Sequence, residues 1–173
     1  MQLKYSNIGT EPVSATEVKN YLKIDFATDD DLIADLITGV RENIEQYTGR
    51  SLVVKTIEYF DEDIYEEIEL PYPDHDEITE VKFNGTVSTE YVKTGLTQFI
   101  IKPTVTFTDV TGETNNTGIN VTYTTTGNCP GGIKIEILRL IGEKYEKRGN
   151  TFDGATNELT ENSYANLLPF CLV

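Results

Sequence analysis

TDDDLIADLITGVRENIEQYTGRSL, residues 28–52, is the stretch whose reading decides the fold. Leu32, Ile33, Leu36, Ile37, Val40, Ile44 and Tyr47 recur at intervals of three and four, the spacing that gathers side chains on one face of a helix. Asp35, Arg41, Glu42 and Glu45 then fall largely on another face. Thr28 and Asp31 have the spacing of a capping box, and Asp29, Asp30 and Asp31 bring negative charge to the first-turn amides. Gly49, just past Tyr47 and Thr48, suits the left-handed residue that ends a helix. Such an amphipathic helix gains its stability by burying its apolar stripe, so it needs a mate.

Upstream, VSATEVKNYLKI (residues 13–24) predicts a short helix from Ala15 to about Lys23. Ser14 and Glu17 can cap each other's amides, and Val13 and Val18 flank them as a hydrophobic staple. Downstream, helical spacing returns only after CPGG: Ile133, Ile137, Leu138, Ile141 and Tyr145 share a stripe, with Lys144, Lys147 and Arg148 toward the negative end of the dipole. This is the natural mate. Between the two, SLVVKTIEYF, DEITEVKFNG, EYVKT, QFIIKP, TVTFTDV and GINVTYTTT have the period of two and the β-branched and aromatic content of short strands. Asn84-Gly85 marks a hairpin, and TGETNNTG an exposed turn. Helices, strands, helix in that order predict an α+β protein. Its antiparallel helical core comprises residues 1–51 and 129–173, and a β-rich domain, 52–128, is inserted between the long helices.

Composition narrows the functions. Among 173 residues, 29 acids outnumber 14 lysines and arginines, and the net charge of −15 opposes binding to phosphate backbones or anionic membranes. No run approaches the length of a membrane span, and the opening MQLKYSNIGTEP is unlike a secretory signal. Cys129 and Cys171 are too far apart for a CxxC motif and read as free thiols. The single histidine, His75, lies in PYPDHDE and reads as an exposed turn rather than the base of a hydrolytic relay. Eleven acids and no lysine or arginine lie between Thr56 and Val81, from Glu58 to Glu80. DEDIYEE within that strip lacks the glycine and layout of a calcium loop, so the strip reads as a solvated face, or as a negative wall toward DNA or a basic partner. Neither GxGxxG nor GxxxxGK[ST] occurs, and Gly131-Gly132 reads as the turn into the last helix. No catalytic, metal-binding or cofactor-binding residue is singled out, and no cofactor is implied.

The order of VSATEVKNYLKID, EQYTGRSL, ELPYPDHDEITEVKFNG, the strand-turn-helix GINVTYTTTGNCPGGIKIEILRLIGEKYEKRG and YANLLPF resembles the tailed-phage head–tail connector, or adaptor, family, in its subgroup with a β insertion. Glu45, Tyr47, Gly49 and Arg50 match one signature of that family; Pro130, Tyr145 and Arg148 match another. TTTGNCP replaces the family's usual aromatic-glycine turn. The resemblance implies a head completion protein of the virion, made in the host cytoplasm, that catalyses no reaction. Its copies assemble as a ring, commonly a dodecamer, below the portal protein and offer a surface to a tail-proximal neck or stopper protein. DNA passes through without sequence-specific binding, and no membrane is involved.

Interface residues expected on this reading are Tyr47, Arg50, Tyr145, Arg148, Leu167, Leu168 and Phe170. The two tyrosines also fit core packing, and the apolar tail, Leu167, Leu168, Phe170, Leu172 and Val173, can dock on its own helices, dock on a neighbour, or stay disordered until a partner arrives. Two rival readings remain: a virion or surface β module that binds protein or glycan, and a small metal-dependent enzyme built on the acidic strip.

Overall fold

The computed structural model of the chain describes residues 1–96, 98–104, 118–147 and 164–171. The fold is α+β, and it divides into two compact units. One comprises Glu11–Leu52 and Cys129–Val173; the other comprises Met1–Thr10 and Val53–Asn128.

In the helical unit, α1 (Ala15–Leu22) opens with the full capping box: the Glu17 amide donates to Ser14 Oγ at 3.2 Å, and the Ser14 amide donates to Glu17 Oε2 at 2.8 Å. Lys134 lies 2.7 Å from the same carboxylate, and its hydrogen bond, with those of Ser14, pulls the Glu17 pKa down to about 2. α2 (Asp30–Thr48) starts after Asp29, which makes no side-chain cap bond. The capping box expected of Thr28 and Asp31 does not form, and the Asp29 carboxylate instead accepts the hydroxyl of Tyr145. Gly49 ends the helix at φ +70°, as its place in the sequence implies. α3 (Gly131–Glu146) follows Pro130, so Gly131 and Gly132 form its first turn.

Ile33, Ile37, Val40 and Ile44 of α2 meet Ile133, Ile137, Leu140 and Ile141 of α3 in one apolar core, closed by Val13, Val18, Leu52 and Leu167. The helices run antiparallel: Tyr145, near the end of α3, reaches the start of α2, while the stretch just past α2 meets the start of α3 through the chain's last residues. The buried face of α2 is rotated from the expected one. Leu32 and Tyr47 are exposed, whereas Arg41 and Glu45, expected on the other face, are buried. Their charges satisfy each other there, which is what permits the burial.

In the other unit every strand pair is antiparallel. The strands are β1 (Gln2–Asn7), β2 (Lys55–Asp61), β3 (Ile68–Glu69), β4 (His75–Phe83), β5 (Thr86–Val87), β6 (Tyr91–Thr94), β7 (Ile100–Pro103) and β8 (Ile119–Thr125). One sheet has the order β1-β2-β8-β4-β5, the other β3-β7-β6. Alternation on β2 and β8 turns Ile57, Tyr59, Ile119, Val121 and Tyr123 inward, where they pack with Ile68, Leu70, Phe99 and Ile101 from the smaller sheet and the loop before it. Asn84 (φ 49°) and Gly85 (φ 78°) make the β4–β5 turn in the left-handed region, as the Asn-Gly signal predicts.

Two findings depart from the sequence reading here. Residues 1–10 belong with the strands, since β1 pairs with β2 from Gln2↔Phe60 to Asn7↔Lys55. His75 is not in an exposed turn: it starts β4 at 5 % exposure. Its Nδ1 accepts the Phe99 amide at 2.8 Å, and its Nε2 donates to the Pro71 carbonyl at 2.9 Å. With both ring nitrogens satisfied by backbone, a neutral imidazole is buried without an orphaned polar atom. Of the expected TVTFTDV strand, only Thr104 is among the described residues; Arg148, Leu172, Val173 and nearly all of TGETNNTG are outside them. Among the described residues no helix is long and apolar enough to cross a membrane.

Candidate functional site

The described interface candidates all belong to the helical unit, and most of them gather at one end of it. Tyr47, on the last turn of α2, is 41 % exposed and lies 5.0 Å from the Tyr164 ring at an interplanar angle of 32°. Its carbonyl faces the Cys171 thiol at 3.7 Å. Arg50 leaves the chain just beyond Gly49, and its Nε donates to the Phe170 carbonyl at 2.8 Å. Leu167, on the terminal 3-10 turn (Ala165–Phe170), is fully buried in the helical core. The Phe170 ring covers Gly132, where a Cβ would come within 2.5 Å of the ring. Asn166 adds a 3.0 Å bond to Glu136 of α3.

The terminal segment therefore docks on the chain's own helices, with Leu167 and Phe170 turned in. Leu168 is turned out and is 61 % exposed. Tyr145 is elsewhere, half-buried at the far end of α3, where it caps the start of α2 through Asp29. The thirteen helical steps of α3 from Gly132 to Tyr145 separate it from the Phe170 seat by roughly 20 Å.

The acidic strip is spread over β2, β3, β4 and the loops between them. Glu58 faces Lys4 across the β1–β2 pair at 3.6 Å, and Glu67 meets Lys102 of β7 at 2.5 Å. Glu69 accepts from Gln98, while Asp61 and Asp63 accept the hydroxyls of Tyr59 and Tyr65, each at 3.2 Å. Burial, with the neighbouring Asp61, pushes the Tyr59 hydroxyl up to about 12. Lysines from other strands thus meet Glu58 and Glu67, and Lys82 of β4 itself meets Glu80. Among the described residues no three His, Cys, Asp or Glu side chains stand where they could hold a metal ion.

A buried ionic cluster in the helical unit was missed by periodicity alone. Arg41 has 0 % exposure; its Nε lies 2.8 Å from Glu11 Oε2 and its NH1 2.6 Å from Glu45 Oε2, with Glu42 at 3.4 Å. Glu45 uses its other oxygen to accept the Leu52 amide at 2.8 Å. Burial by itself would lower the Arg41 pKa, but the hydrogen bond to Glu11 and the charges of Glu45 and Glu11 turn the net shift upward. The available signal was the spacing Ile37, Arg41, Glu45, which continues one edge of the apolar stripe at intervals of four.

Among the described residues these features are contact side chains and ion pairs. The fold is similar to that of chains in gene transfer agent particles. Three similar structures are described as "Neck of empty GTA particle computed with C6 symmetry", "Virion of native gene transfer agent (GTA) particle" and "Neck of native GTA particle computed with C12 symmetry". The first two give a TM-score of 0.70 at 14% identity, the third 0.62 at 13%; each match covers 100% of this chain and 96% of the other. No curated protein matches the chain. The family model for head completion protein matches residues 11–169, and the chain belongs to that family. Its role is that of a structural head–tail adaptor.

Proposed function

We propose that copies of this chain form a ring at the head–tail interface of a tailed phage, below the portal protein, and that the ring presents the docking surface for a tail-proximal neck or stopper protein. Twelve copies make the ring in the virion. The helical unit is the connector core and the β unit an inserted module. DNA passes through without being read, and no reaction is catalysed. The observation that carries this reading is the family match over residues 11–169, joined to a fold similar to that of chains in GTA particle necks computed with C6 and C12 symmetry. A contact between unlike faces, repeated by rotation, closes such a ring. The net charge of −15 favours it further, because a negative wall does not hold a passing duplex.

On this reading Leu168, Tyr47 and Arg50 form one contact surface and Tyr145 another, with Leu167 and Phe170 anchoring the segment that presents Leu168. The test is co-sedimentation of the purified chain with cognate portal rings. Wild type binds; Leu168→Glu, which changes an exposed side chain, keeps the fold but binds at least about tenfold more weakly, as loss of an apolar contact residue does. Failure of the wild type to bind at any ionic strength contradicts the proposal.

A further inference from the structure

The chain passes between its two units three times, at residues 10–11, 52–53 and 128–129. At two of these passages the helical-unit residue is bonded to the same buried ionic cluster. Glu11 is bonded to Arg41 Nε, and Thr38 Oγ1 adds a long bond of 3.4 Å to its other oxygen. The Leu52 amide donates to Glu45 Oε1. Cys129, at the third passage, packs on the apolar helical core instead.

We propose that Arg41 and Glu45 are positioning residues: together they clamp the chain passages at Glu11 and Leu52 onto the helical unit. Arginine suits the task because its planar fork can hold two carboxylates in fixed directions, which a lysine ammonium cannot. The clamp has no need of partners, so it is separable from the ring proposal. It also accounts for a buried ion pair at the edge of an otherwise apolar helical core.

The test is amide hydrogen exchange on the full-length chain, comparing wild type with the Arg41→Met, Glu45→Met double variant. The expected result is that the amides of Glu11 and Leu52 both exchange about tenfold faster or more, while those of Leu140 and Ile141 in α3 stay within about threefold. Acceleration of Leu52 alone overturns the proposal, since it reports only one lost hydrogen bond. Equal acceleration at the passages and in α3 overturns it as well, since the pair would then act only on general stability. Should the double variant not fold, Arg41→Lys gives the same comparison: the passages loosen ahead of α3, or the proposal fails.

Discussion

Acidification of the β unit tests the packing of its one histidine. Burial holds the His75 imidazole below its usual 6.5, although the hydrogen bond to Pro71 and the charge of Asp74 pull partly the other way. Its Nδ1 is occupied by the Phe99 amide, so a second ring proton has no acceptor and must break that bond. The ring is also wedged against Tyr123 and Phe99, at centroid distances of 4.9 and 5.0 Å. Below pH 6.5 the unfolded chain takes up a proton that the folded chain resists, so stability is complete above that pH and falls as the pH drops through it.

One proton gives at most about 1.4 kcal/mol per pH unit, so the loss between pH 7.5 and 5.5 approaches but does not exceed about 1.4 kcal/mol. Glu17, with its pKa near 2, titrates outside this window. The assay is urea unfolding followed by near-ultraviolet circular dichroism, a signal carried here by tyrosine because tryptophan is absent. His75→Gln lowers stability at every pH, by about 1–3 kcal/mol for the hydrogen bonds lost, and flattens the slope. A wild-type stability that is flat over this range, or a variant with an undiminished slope, refutes the reasoning.

Gly49→Ala meets no neighbour within 4 Å, so its cost is the left-handed backbone alone, about 1–2 kcal/mol, read as a lower midpoint in thermal unfolding. Leu167→Ala opens a cavity in the helical core and costs about 2–5 kcal/mol of docking free energy; hydrogen exchange over residues 164–171 should rise well before that of α3. Gly132→Ala drives the Phe170 ring from its seat, so Arg50 loses its carbonyl partner while α3 remains helical by circular dichroism, and the freed ring is seen in the Phe170 aromatic NMR shifts.

What the sequence made legible was whatever local chemistry decides. The three-and-four spacing of Ile33, Ile37, Val40 and Ile44 identified α2, Ser14 with Glu17 identified the start of α1, and Gly49 and Asn84-Gly85 identified where the chain turns. What stayed hidden depends on partners distant in sequence. Arg41 reads as solvated until Glu11, thirty residues away, is seen against it. His75 reads as a polar turn until the Phe99 amide, 24 residues on, is seen to satisfy it. The β1 strand is mostly exposed and shows no clear alternation, so its pairing with β2 is its only signature. Thr28 and Asp31 have the spacing of a cap, but the start of α2 is fixed instead by Tyr145, from 116 residues away. Of the interface candidates, the sequence located the apolar tail but not its division into inward Leu167 and outward Leu168.

The adaptor role is tested most directly by electron microscopy of particles assembled in cells from which this chain alone has been deleted. The account predicts DNA-packaging heads and finished tails that stay separate, with joining restored when the chain is supplied from a plasmid. Particles with tails attached at the wild-type frequency would contradict it.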